Sequence, residues 1–215
     1  MSKVIEKLLL ESGLAITNTQ SVGEIRSLMA GFGYTDKRMA NSKVLHDEAE
    51  TLYQAQVKEY GEKDEASLEL QVAQAKANAP YMKYVGIARV AMSDNVAGWQ
   101  SLKLGGRRKA TYSGWVSDAR LFYINLMGSK SLLDIMAGFG ITSEKLKEGL
   151  ALVEVVEQKL AKYREELGQA QNATQERDKK VDALQAWYSD FKEIARIALE
   201  DKPQYLEMLG IVEPS

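Results

Sequence analysis

In the second half of the chain, apolar residues step by three and four in alternation over two long stretches. Leu146, Gly149, Val153, Val156, Leu160, Tyr163 and Leu167 form one run, and Val181, Leu184, Tyr188, Phe191, Ala195 and Ala198 form the other. That spacing keeps one face of an α-helix against a partner with coiled-coil-like packing. It predicts two helices of roughly 26 residues, each about 40 Å long at 1.5 Å per residue. Gly168 and the polar residues after it mark the expected turn between them, so the pair reads as a helical hairpin. Strand-like alternation is not convincing anywhere in the chain.

This pattern has a second copy. Met29-Ala30-Gly31-Phe32-Gly33 recurs as Met136-Ala137-Gly138-Phe139-Gly140, a shift of 107 residues from position 29 to position 136. The same shift lays Gly61 on Gly168, Ala66 on Ala173, Glu69 on Glu176, Tyr81 on Tyr188, and Ile87–Met92 on Ile194–Leu199. The first half therefore holds its own hairpin, turning near Gly61 and running to about Met92. After each pentapeptide comes an aromatic or aliphatic residue and then Thr35 or Thr142, whose hydroxyl suits the free amides opening a long helix. Gly31, Gly33, Gly138 and Gly140 suit the positive φ that ends a preceding short helix, and Phe32 and Phe139 are expected to plug the corner.

One such hairpin leaves a long apolar stripe exposed, and two bury it together. The expected fold is all-α, a tandem duplication of a long helical hairpin forming a pseudo-two-fold four-helix bundle with short capping helices. Its expected organisation is a first helical repeat over 1–104, an inter-repeat linker and short helix over 105–128, and a second helical repeat over 129–215, in a single compact bundle. Between Met1 and Thr17, Glu6, Lys7 and Glu11 interrupt Leu8-Leu9-Leu10, well short of a signal-peptide core or a membrane span. That stretch reads as an amphipathic capping helix.

Composition narrows the function classes. The 215 residues carry a net charge of −2 and no cysteine. Such a charge supplies no overall basic field for phosphate backbones or anionic lipid, so neither nucleic acid nor membrane is an expected partner. The lack of cysteine removes disulfides, thiolate nucleophiles and zinc-thiolate sites, and fits a cytoplasmic location.

Candidate chemistry concentrates in two places. Shifted back by 107, the seam of the second copy becomes Met39, Ser42, His46, Ala49, Tyr53, Gln56 and Tyr60, a wetter set holding the only histidine. Pro80, opposite Trp187, is expected to bend its helix beside small residues. Ser42, His46, Tyr53, Gln56 and Tyr84, with Asn78 near the bend, are the candidate ligand pocket. No metal is expected, because di-iron bundles need Glu-x-x-His pairs and Lys43 stands three before His46. The second place is the linker Gly105–Trp115, where Arg107, Arg108 and Lys109 are candidate anion ligands, although the glycine spacing matches no phosphate-loop motif.

Other charged residues have internal explanations. Arg89 and Arg196 are expected to form internal ion pairs, and Glu176–Lys180 to be a solvated helix face. No nucleophile elbow or triad spacing is present, so neither an enzyme nor a cofactor is expected. The leading reading is an interaction or structural module that docks a protein partner or a second copy, anchored by Trp99, Trp115 or Tyr205 on an apolar patch. Two alternatives are a small-ligand carrier using the His46 pocket and an enzyme acting on an anionic substrate near the basic linker.

Overall fold

The computed structural model describes residues 2–211, which form eight α-helices and no strand. In chain order these are α1 (Ser2–Ser21), α2 (Gly23–Gly31), α3 (Asp36–Ala91), α4 (Val96–Ser101), α5 (Tyr112–Met127), α6 (Lys130–Ala137), α7 (Ser143–Ala198) and α8 (Pro203–Met208). The all-α class is as expected. A shift of 107 carries the bounds of α3 onto those of α7 and the bounds of α4 onto those of α8. Among the described residues, no helix is long and apolar enough to cross a membrane.

The expected hairpins are absent. Each is instead a single 56-residue helix that continues past Gly61 or Gly168. Neither glycine is among the residues of positive φ. An isolated helical glycine costs only about 1 kcal/mol relative to alanine. The residues after each glycine, Glu62-Lys63-Asp64-Glu65 and Gln169-Ala170-Gln171, propagate a helix well and include no proline, whereas ending one helix and starting another incurs a second nucleation cost. At Pro80 too, α3 remains helical. The space beside it is filled, because Tyr81 is fully buried against Trp115 and Phe122 of α5, with ring centroids 5.8 and 5.6 Å away.

The repeated pentapeptide closes α2 and α6 by the same hydrogen bonds. The Tyr34 amide donates to the Met29 carbonyl (3.0 Å) and that of Gly33 to Ala30 (3.1 Å); Ile141 donates to Met136 (3.1 Å) and Gly140 to Ala137 (2.9 Å). This is a Schellman closure, in which one residue must take the left-handed conformation. Gly33 (φ +85°) and Gly140 (φ +75°) do so, while Gly31 and Gly138 do not. The expected phenylalanine plug is also corrected: Phe32 and Phe139 are 48% and 50% exposed. The apolar contact belongs to the closing residues, so Met29 with Tyr34, and Met136 with Ile141, are buried instead. Past the corner, Thr142 Oγ1 accepts from the Lys145 amide at 3.4 Å, whereas Thr35 contributes its backbone carbonyl to Met39.

The chain sorts into two compact units that do not follow the repeat boundaries. One comprises Met1–Glu59 and Gln169–Ser215, the other Tyr60–Gly168. In the first, Ile5, Leu8 and Ile16 of α1 and Met39 and Ala49 of α3 share a core with Leu184, Tyr188 and Phe191 of α7. Tyr34 meets Phe191 edge-on at 5.2 Å. In the second, Trp115, Phe122 and Tyr123 of α5 pack with Leu70, Tyr81 and Val85 of α3 and Leu146, Val153 and Val156 of α7. The two apolar runs of the second copy, expected to face one another, thus serve different cores.

Candidate docking face

The residues of the expected polar pocket are not gathered into one cavity. Ser42 is buried and its hydroxyl donates back to the Arg38 carbonyl at 2.9 Å. Gln56 accepts from Arg177 at 3.0 Å. Tyr84 lies in the other unit, edge-on to Tyr123 at 6.4 Å. His46 and Tyr53 remain, beside two adjoining open grooves of about 570 and 540 Å³ that both reach Gly13, Thr17 and Glu50.

His46 ties α1 to α3. Its Nε2 lies 2.9 Å from the Leu9 carbonyl and its Nδ1 3.3 Å from an Asp47 carboxylate oxygen. Both are acceptors, so a charged ring donates to each and a neutral ring to one. A Cβ at Gly13 would stand 2.9 Å from Nε2, which makes glycine the condition for this approach. Lys43, hydrogen-bonded to Asp47 at 2.7 Å, holds that carboxyl below its ordinary pKa. Tyr53 donates to Glu6 at 2.6 Å, adding a second tie between the same two helices.

The basic linker is fastened to its own unit. Arg108 donates to the Tyr81 hydroxyl at 3.3 Å and to the Lys103 carbonyl. The ammonium of Lys109 lies 3.5 Å from Asp118, and Arg107 is exposed. Arg89 donates to the Leu104 and Gly106 carbonyls at 2.9 and 3.2 Å, so its partners are loop carbonyls rather than the expected carboxylate. Arg196 does pair with a carboxylate, Glu193 at 2.7 Å. Within the run expected to be solvated, Arg177 is buried between Gln56 and Asp178.

The expected aromatic anchors are likewise occupied. Trp115 is buried and its indole N–H donates to Asn78 at 2.8 Å. Trp99 packs against the core of the same unit. Tyr205 donates to Glu24, with the Lys202 ammonium 5.5 Å from its ring centroid.

An exposed apolar stripe lies elsewhere, on α3. Leu68 (61% exposed), Val72 (61%), Ala75, Ala79 and Met82 (40%) advance by four and three along one outward face, continued by Gly86 and Val90 (68%). From Leu68 to Val90 this stripe spans about 33 Å of helix. The corresponding positions of α7 are Gln175, Lys179, Asp182, Ala186, Ser189, Glu193 and Ile197, all exposed. The two helices share a pattern of exposure but differ in chemistry. The stripe's spacing was present in the sequence; only burial reveals that these residues face water while Leu70, Ala77, Tyr81 and Val85 face the core.

Cations border this face. Lys76 and Lys83 are exposed, each one residue past a stripe position. On the other side Ala75 and Met82 share a groove of about 370 Å³ with Gln71, Gln74, Asn78, Arg108, Lys109 and Trp115. Near its start Glu69 is bound by Lys159 (2.9 Å) and Lys162 (3.5 Å), and the hydrogen bond from Lys159 holds its carboxyl below the ordinary pKa. An apolar helical face edged by positive charge can bury side chains of a partner and orient it by charge. Comparison with protein-family models, with curated proteins and with solved structures finds no match for this chain.

Proposed function

We propose that this chain is a protein-docking module built by tandem duplication, in which one copy's long helix carries the docking face. The duplication reading is supported by the 107-residue shift relating both the pentapeptides and the bounds of α3 with α7. The docking reading is carried by one observation: Leu68, Val72 and Met82 are exposed where α7 places Gln175, Lys179 and Ser189. The fold tolerates polar residues at these positions, so its stability does not require apolar ones. Contiguous exposed apolar surface commonly marks an interaction site. A cysteine-free chain suits work in the cytoplasm.

A photo-crosslinking amino acid placed at Val72 or at Lys179 in the native cell tests the reading. Position 72 is expected to give a discrete protein adduct and position 179 none. Adducts from neither position, or equally from both, contradict it. The grooves beside His46 are open, so a small molecule there stays largely in water, and no observation favours the carrier over the docking module.

A further inference from the structure

We propose that the partner seated on this face is an amphipathic α-helix with acidic edges. The inference rests on the docking reading and adds the partner's shape and charge.

Shape points to a helix. Exposed apolar residues at alternating steps of four and three present the seam that a second helix fills with its own side chains along its whole length. Ala75, Ala79 and Gly86 lie within the stripe between the larger Leu68, Val72, Met82 and Val90. Small residues there let the backbone of an incoming helix approach closely, while the larger ones pack into its seam. A flat sheet face would meet the ridge only where it crosses.

Charge selects the partner's edges. Lys76 and Lys83 stand on one flank, and Arg108 on the groove that forms the other, beside Lys109, whose ammonium is shared with Asp118. The nearby carboxylate of Glu69 is taken up by Lys159 and Lys162. Glutamates or aspartates flanking an apolar seam would meet these cations, whereas lysines there would be repelled. The same reasoning argues against a second copy of this chain, since pairing two such faces brings basic edges against basic edges.

The test uses the full chain and two synthetic peptides of about four heptads with the same Leu and Val seam. One carries Glu at every edge position and the other Lys, so like-charge repulsion keeps each from pairing with itself. The Glu-edged peptide is expected to bind at least about tenfold tighter, with the preference shrinking as salt rises. Lys76→Glu with Lys83→Glu is expected to reverse the preference, and Val72→Lys with Met82→Ser to abolish binding of both peptides. Circular dichroism establishes that each variant is folded.

Equal binding of the two peptides, lost in the Val72→Lys, Met82→Ser variant, overturns the acidic partner and leaves the docking face standing. Binding of neither peptide overturns the helical partner, and the crosslinking contrast between positions 72 and 179 then decides the docking reading alone. A wild-type dimer that Val72→Lys dissociates overturns the proposal in favour of a second copy.

Discussion

The 68–90 segment of α3 and the 175–197 segment of α7 have the same helical register and the same alternation of buried and exposed positions. At several buried positions the two agree in character: Ala77 matches Leu184, Tyr81 matches Tyr188 and Ala88 matches Ala195, whereas buried Leu70 stands opposite buried Arg177. At most exposed positions they part, with Leu68, Val72, Ala75 and Met82 on one and Gln175, Lys179, Asp182 and Ser189 on the other, while Ala79 matches Ala186 and Val90 matches Ile197. Core packing constrains the first set in both copies. The second set is free of that constraint, so its apolar character in α3 points to something outside the fold.

The largest expected effect tests whether equivalent positions are packed equivalently. At Gly149, opposite Ser42 in the repeat, an added Cβ would stand 2.5 Å from the Tyr123 ring, itself fully buried. Gly149→Ala is expected to destabilise by about 2 kcal/mol despite alanine's better helix propensity. Ser42→Ala, which adds no atom, is expected to change stability by less than about 1 kcal/mol. Urea unfolding of both variants measures the difference, and equal effects would mean that the two seams are packed alike.

The next effect compares the two cores. Tyr123 in one unit and Tyr188 in the other have buried hydroxyls without a hydrogen-bond partner among the described residues. Burial pushes both phenols up, that of Tyr188 to about 12. The neutral form is therefore favoured in the folded state. Its contribution is complete below the unfolded value of about 10 and is lost as pH rises from there towards 12. Tyr123→Phe and Tyr188→Phe are each expected to be neutral, or stabilising by about 1 kcal/mol, at pH 7. Each should also flatten the fall in stability above pH 10, as urea midpoints across that range would show. An unchanged alkaline slope in both variants would contradict the buried-phenol account.

The smallest effect concerns the exposed stripe. Val72→Lys and Met82→Ser, which install the α7 residues, are expected to move stability by no more than about 0.5 kcal/mol. A loss of several kcal/mol would place these side chains in a core rather than on a surface.

Much of the fold was legible in the chain, and the departures have physical causes. The three-four runs marked the buried faces of α3 and α7, and the pentapeptide marked the close of α2 and α6, because both signals are local. Gly61 and Gly168 were misleading for the same reason. Whether a glycine ends a helix depends on which distant segments reward continuation, and the core made by Leu184 and Phe191 with Tyr34 cannot be read from neighbours in sequence. His46 stood out as the only histidine, but its attachment to Leu9 and the need for glycine at position 13 are tertiary facts. The aromatic residues named as anchors were those with the most apolar surface, and for that reason Trp115 is used inside. The α3 stripe was legible in spacing yet indistinguishable from a core face until burial separated the two.

Replacing the face as a whole tests the central claim most directly. The variant Leu68→Gln, Val72→Lys, Ala75→Asp, Met82→Ser gives α3 the surface of α7, and calorimetric titration with the Glu-edged helical peptide reads the outcome. The account predicts an unchanged helical spectrum, a melting temperature within a few degrees of the parent, and affinity reduced by more than about tenfold. A variant that stays folded and binds the peptide as tightly as the parent would contradict it.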